Sequence, residues 1–211
     1  MKPWSVELGT FWVLDAANGL PPECSARVEV EFSEFASSDM DSLTAAMNLS
    51  NPEPVRQRLQ AHRRCFLLKA GGQIAAYGWV THGRESVGEL EREFNLHDDE
   101  AYIWDCGTVP AWRGQRCYSA LLSQIIHLLH REGVPYIWIG ASRLNKPSVQ
   151  GIANAGFHHI LDLTYRRISR LKLIWFREIP NAPPPLISAA YRILLNDNER
   201  RWGPWVIGMM R

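Results

Sequence analysis

VPAWRGQRCYSALLSQI, residues 109–125, is the stretch on which the fold turns. From Tyr118 onward the apolar positions 118, 121, 122, 125, 126 and 129 recur at i, i+3, i+4, the spacing of an amphipathic helix. Gly133 predicts its end. The run AYIWDCGTV (101–109) before it and PYIWIGAS (135–142) after it read as strands. A strand, a helix and a strand so spaced predict a right-handed βαβ unit with parallel strands. The helix opens after Pro110, Arg113 and Gly114, and its first turn carries no acid. Such a terminus offers unpaired amides and partial positive charge, so it suits an anion.

Two common phosphate loops, GxxxxGK[ST] and GxGxxG, do not occur. The tight RGQRCY turn instead predicts a nest of N–H groups from Gln115 to Ser119. Gly114 lets the backbone bend, and Arg113 and Arg116 add charge. A diphosphate fits that electrostatics better than a carboxylate does.

Working outward, GTFWVLDA (9–16) reads as a short strand, NGLPPE (18–23) as a loop and RVEVEF (27–32) as a strand with one buried face. Ser38 or Asp39 is a candidate N-cap for one helix, and another begins near Pro52 or Pro54. CFLLKAGGQIAAYGWV reads as a hairpin turning at Gly71 and Gly72. A polar connector (81–100) carries Glu85, Glu89, Glu91 and Glu93. After NKPSVQGIANAGF (145–157), a short helix, two closing strands are expected. PNAPPP (180–185) reads as a linker before an amphipathic helix and an apolar tail. The tail is expected to pack on its own domain, with a homodimer or membrane-surface contact as alternatives.

The 211 residues suffice for one domain with a real core, or a domain plus an appendage. With 46% hydrophobic and 21% charged residues the chain should fold. A net charge of +1 gives no general attraction to nucleic acid. Cys24, Cys65, Cys106 and Cys117 lack paired spacing and read as reduced thiols. Without a signal peptide or an apolar run of roughly 20 residues, a cytoplasmic location is expected.

The run Thr108-Val109-Pro110-x-x-Arg113-Gly114, the helix YSALLSQI, the strand YIWIGAS, then Asn145 and ANAGF resemble the GCN5-related N-acetyltransferase superfamily. The likeness spans residues 27–179 in element order, with an N-terminal arm (1–26) before it and the linker and tail (180–211) behind. It implies an α/β fold whose mixed, mostly antiparallel sheet splays between the strands at 101–109 and 135–142. Acetyl-CoA, as cosubstrate, would lie in that split, its pantetheine arm pairing with Cys106 to Val109 like an added strand. Its diphosphate would cap the helix through Gln115, Arg116, Cys117, Tyr118 and Ser119. Asn145 stands where the family has an Asn that touches the cofactor arm, with Ser148 a turn beyond.

Two departures stand out. Arg116 and Tyr118 occupy places where the family has Gly and Gly or Ala; Arg116 either crowds the phosphate or folds outward to contact it. Ile152 occupies the place of a tyrosine that acts as acid toward the leaving thiolate. Another group or water must then protonate the sulfur, or the activity is lost.

Direct transfer to an amine needs alignment, an oxyanion donor and a base. The amide of Thr108 or Val109 is the expected donor. Glu89 is the favoured base, with Asp105 its rival; solvated and structural roles respectively are the plainer alternatives. Cys106 and Cys117 are expected to be structural, His127 and His130 ordinary helix residues without a third metal ligand, and His158 and His159 strand-edge residues. Trp79, Trp104 and Trp138 are expected in the core, although one could wall an acceptor pocket. The leading expectation is an acetyl-CoA-dependent N-acetyltransferase acting on a primary amine of a small molecule or metabolite. The alternatives are a catalytically silent acyl-CoA sensor or partner module, and an O-acyltransferase or user of longer acyl groups.

Overall fold

The computed structural model describes residues 4–87, 92–168, 171–195 and 200–209. In chain order these form β1 (Trp4–Asp15), β2 (Glu31–Glu34), α1 (Met40–Ala46), α2 (Glu53–Gln60), β3 (Arg64–Ala70), β4 (Gln73–Thr81), β5 (Arg84–Val87), β6 (Arg92–Asn95), β7 (Glu100–Thr108), α3 (Cys117–Arg131), β8 (Tyr136–Ser142), α4 (Lys146–Asn154), β9 (His158–Ile168), β10 (Leu171–Glu178), α5 (Pro184–Leu194), β11 (Arg200–Trp202) and β12 (Trp205–Met209). Ten strands make one sheet in the order β11-β12-β10-β9-β1-β8-β7-β4-β3-β2, and β5 pairs with β6 apart from it. Within the sheet only β7 and β8 run parallel, joined by α3 as the helical spacing predicts.

Side-chain alternation along the strands divides the core in two. Ala101 and Ile103 of β7 and Ile137 and Ile139 of β8 face one way, onto Leu121, Leu122, Ile125, Ile126 and Leu129 of α3 and Ile152 of α4. These side chains are all at most 1% exposed, and each leucine and isoleucine among them contributes roughly 1.5–3 kcal/mol of burial. Tyr102 and Trp138, one residue out of phase, face the other way with Phe11 and Val13. There they meet Phe94 of β6 and Ala190, Ile193 and Leu194 of α5. On that second face, α1 and α2 cover Leu67, Ile74 and Trp79 through Leu43 and Val55. The β3–β4 turn falls at Gly71 and Gly72, with φ of +56° and +78°.

Several expectations need correction. The early strand is Glu31–Glu34 rather than 27–32, because the chain at Arg27 spends its amide on Gln115 O at 2.8 Å. The connector 81–100 contains the β5–β6 hairpin, with Phe94 and Leu96 buried. The segment before residue 27 is no mere arm: β1 pairs antiparallel with β8 on one side and β9 on the other. His158 and His159 start a strand that lies inside the sheet, opposite Val13 and Trp12, and the His159 ring stacks on Trp12. Asp39 is the N-cap residue of α1 as expected, but its carboxylate does not bond the helix and instead accepts from Ala36 N–H and Lys69 Nζ. The stretch past the prolines packs on its own domain as expected, through α5, and adds β12 to the sheet beside β10. Arg192 on α5 donates to the buried Glu100 Oε1 at 2.5 Å, which also accepts from Trp138 Nε1 at 3.2 Å.

Candidate active site

The parallel register of β7 and β8 runs from Glu100 opposite Tyr136 to Ile103 opposite Ile139 and stops. Beyond that point Trp104, Gly107 and Thr108 pair only with β4, and Gly140 to Ser142 only with β1. A gap between two parallel strands therefore opens at Trp104. The cause is local. Tyr77 opposes Gly107 and Trp79 opposes Trp104, so Gly78 alone faces both Asp105 and Cys106. This is a β-bulge, and Asp105 sits in it at φ +40°, a costly conformation for a non-glycine residue. Gly78 and Gly107 permit it: a Cβ would stand 2.9 Å from Cys106 Sγ at the first and 2.5 Å from Tyr77 Oη at the second.

An ion pair pins the bulge. Asp105 Oδ2 accepts from Arg58 Nη1 at 2.5 Å, and the guanidinium lies over the Trp104 and Trp79 rings at 4.7 and 5.0 Å. Asp105 thus points toward α2, while Cys106 packs among the side chains on the α3 face. Burial, and then the Asp105 charge, push the Cys106 thiol well up. Burial also raises Cys117. Both stay protonated and make poor nucleophiles. Tyr77, over Gly107, is pushed up to about 12 by burial and by Asp105.

At the wide end of the gap the chain turns through Pro110–Trp112 and Gly114 (φ +78°) into α3. Arg116 is the N-cap of α3 in the left-handed conformation, φ +59°, where glycine would be unstrained. The amides of Arg116, Cys117, Tyr118 and Ser119 have no protein acceptor among the described residues. Gln115 differs from expectation, since its amide donates to Trp112 O at 3.4 Å within the turn. Arg113 and Arg116 are exposed beside the free amides, and no acid lies in the first turn. Val109 N–H donates to Ala75 O at 2.9 Å; successive amides alternate, so Thr108 N–H faces the gap.

Asn145 caps α4, its Oδ1 accepting from Ser148 N–H at 3.2 Å. Ile152 is fully buried in the core. Glu89 lies outside the described residues. His127 faces Glu23 at 3.8 Å, and no cluster of three or more His, Cys, Asp or Glu that could hold a metal occurs among the described residues. Trp79 and Trp138 are buried as expected, whereas Trp104 is only half-buried and walls a pocket.

Two open pockets flank the gap on the face opposite α3. One, of about 270 Å³, is lined by Pro54, Gln57, Arg58, Arg63, Glu85 and Trp104. Its carboxylate, Glu85, accepts from Arg63 Nε at 2.7 Å and from Thr81 Oγ1 at 2.5 Å. The other, about 90 Å³, lies between Phe11, Phe94 and Tyr102, with Gly140 and Ser142 at its lip. Sequence reasoning missed the Arg58 clamp, because it joins α2 to residues of β4 and β7. A Trp at 79 and at 104 around a lone strand Asp was the available signal.

Residues 31–157 match the model of the Acetyltransferase (GNAT) family, and the chain belongs to that family. No curated protein matches the sequence significantly. Among solved structures, a GCN5-related N-acetyltransferase from Sphaerobacter thermophilus is similar at TM-score 0.56 and 14% identity, over 82% of this chain and 52% of that one. A putative GNAT acetyltransferase from Novosphingobium aromaticivorans gives 0.54 and 14%, over 76% and 63%. A GNAT-family acetyltransferase from Colwellia psychrerythraea gives 0.54 and 12%, over 74% and 53%. The chain thus spans between about half and two thirds of their length, and at these identities they speak for the fold alone. Among the described residues no helix is long and apolar enough to cross a membrane.

Proposed function

We propose that the protein is an N-acetyltransferase that moves the acetyl group of acetyl-CoA to a primary amine of a small molecule or metabolite. The observation that carries this is an edge of β7 that, among the described residues, has no strand partner past Ile103 and leads to four amides without a protein acceptor at the start of α3. The edge from Cys106 to Val109 suits an extended amide-bearing arm, and the amide cluster with Arg113 and Arg116 suits a diphosphate. Asn145 and Ser148, at the start of α4, border the same arm.

In this scheme the cosubstrate is held along β7 and the amine enters from the pockets on the opposite face. Nitrogen attacks the thioester carbonyl directly in a ternary complex, so no enzyme thiol is acylated. Thr108 N–H donates to the developing oxyanion. The ammonium proton leaves to a carboxylate, Glu89 or Asp105, directly or through water. Asp105 is the weaker of the two, since Arg58 already holds its charge. Ile152, buried with no proton to give, favours a second reading, a silent acyl-CoA-binding module.

Titration calorimetry with acetyl-CoA tests both. Micromolar binding, on the order of −7 to −8 kcal/mol, is expected, weakened in Arg113→Ala and Gly114→Val. No binding to the wild type removes both readings. A thiol-release screen over amines then separates the enzyme from the silent module. An unchanged pH profile of turnover in Glu89→Gln would exclude Glu89 as the base.

A further inference from the structure

Tyr118 has an arrangement that phosphate binding does not require. It is the second residue of α3, yet its ring crosses to α4, where an ideal Cβ on Gly151 would stand 2.3 Å from its Cδ1. Glycine at 151 is what admits the ring. The phenol oxygen accepts a hydrogen bond from Ser148 Oγ at 3.2 Å. The phenolic proton itself has no protein acceptor among the described residues. Cys106, on the open stretch of β7, and Tyr102, near its closed end, are the titratable groups nearby. Two helices thus fix an unspent O–H donor beside the gap. It stands on the face away from both acceptor pockets, so it can reach a leaving group without blocking the incoming amine.

We infer that the Tyr118 hydroxyl donates a hydrogen bond to the sulfur of the cosubstrate and stabilises the thiolate as it departs. This rests on the acetyl-CoA reading above. When the amine nitrogen bonds to the carbonyl carbon and the C–S bond breaks, the electron pair stays on sulfur. Sulfur then takes its proton from water, and Tyr118 keeps its own. Burial raises the Tyr118 phenol far above its usual range, which suits a permanent donor and disfavours an acid. The role left vacant by Ile152 on α4 is thereby met from α3 by a different chemistry.

The test needs no acceptor. CoA is bound to the wild type and to Tyr118→Phe, and the bound thiol is titrated by its ultraviolet thiolate absorbance. Desulfo-CoA reports the affinity of the rest of the molecule. A hydrogen bond to a charged sulfur should lower the bound thiol pKa by about 1–2 units in the wild type relative to Tyr118→Phe, with desulfo-CoA binding both proteins equally. Ser148→Ala, which loosens the phenol, should fall between them. Equal thiol pKa values in all complexes, with CoA bound to each, overturn the proposal. Failure of the wild type to bind CoA overturns the acetyl-CoA reading on which it stands.

Discussion

The Tyr118–Gly151 contact gives a prediction whose sign reverses with background. A methyl at 151 would lie 2.3 Å from Tyr118 Cδ1 and 2.8 Å from Cε1, against an ordinary carbon contact of about 3.5–4.0 Å. Within a helix, alanine is favoured over glycine by about 1 kcal/mol. Forcing a methyl into filled space costs about 1–3 kcal/mol. In the wild type, Gly151→Ala should therefore destabilise by about 1 kcal/mol, lowering Tm by roughly 2–4 °C for a chain of this size. In a Tyr118→Ala background the ring is gone, and the same change should stabilise by about 1 kcal/mol. Denaturant unfolding of the four proteins measures a coupling of about 2 kcal/mol. Additivity within roughly 0.5 kcal/mol, or stabilisation by Gly151→Ala in the wild type, would refute the packing account.

Arg116→Gly should relieve the left-handed strain, worth about 1–2 kcal/mol, less about 0.5–1 kcal/mol of added chain entropy; a loss of thermal stability would show that the Arg116 side chain makes contacts worth more than the strain. Arg192→Leu strands the buried Glu100 without its cation and should cost roughly 3–5 kcal/mol in denaturant unfolding, so a cost below about 1 kcal/mol would show the pair to be solvated. Burial pushes Asp39 up, but hydrogen bonds from Lys69 and Ala36 N–H hold it below 3.8, and Arg64 holds Glu132 below 4.5. Both acids bind fewer protons folded than unfolded, so their stabilisation is complete above the ordinary carboxylate range and is lost as pH falls through the lowered values. Stability should accordingly drop below about pH 4–5, and Lys69→Met should flatten that drop.

The βαβ unit could be read in advance because its signals are local. One apolar stripe defines α3, and the residues either side of it have strand character. The glycine pair at 71–72 marked its hairpin for the same reason. The bulge was not legible, since an αL aspartate with one glycine on the facing strand and another two residues on leaves no periodic trace. Asp105, Gly78 and Arg58 meet only once three elements have packed. Nor was the company of Tyr118, because Gly151 reads as an ordinary helix residue until a ring is found against it. The β5–β6 hairpin hid behind its charges, its few apolar residues, the buried Phe94 among them, being scattered between acids and arginines. The placement of β1 needed partners far away in the chain, which propensity does not report.

That placement has a consequence for how the protein comes into being. Thr10 bonds to Ala141, 131 residues later, and Trp4 pairs with Ile168. At synthesis rates of roughly 5–20 residues per second β1 waits on the order of ten seconds for its neighbours. During that wait both its edges stand open to any other extended chain. Such distant pairing also slows folding intrinsically. Because β1 braces β8, one lip of the cleft stays unbuttressed until β1 meets a strand made some 131 residues after it.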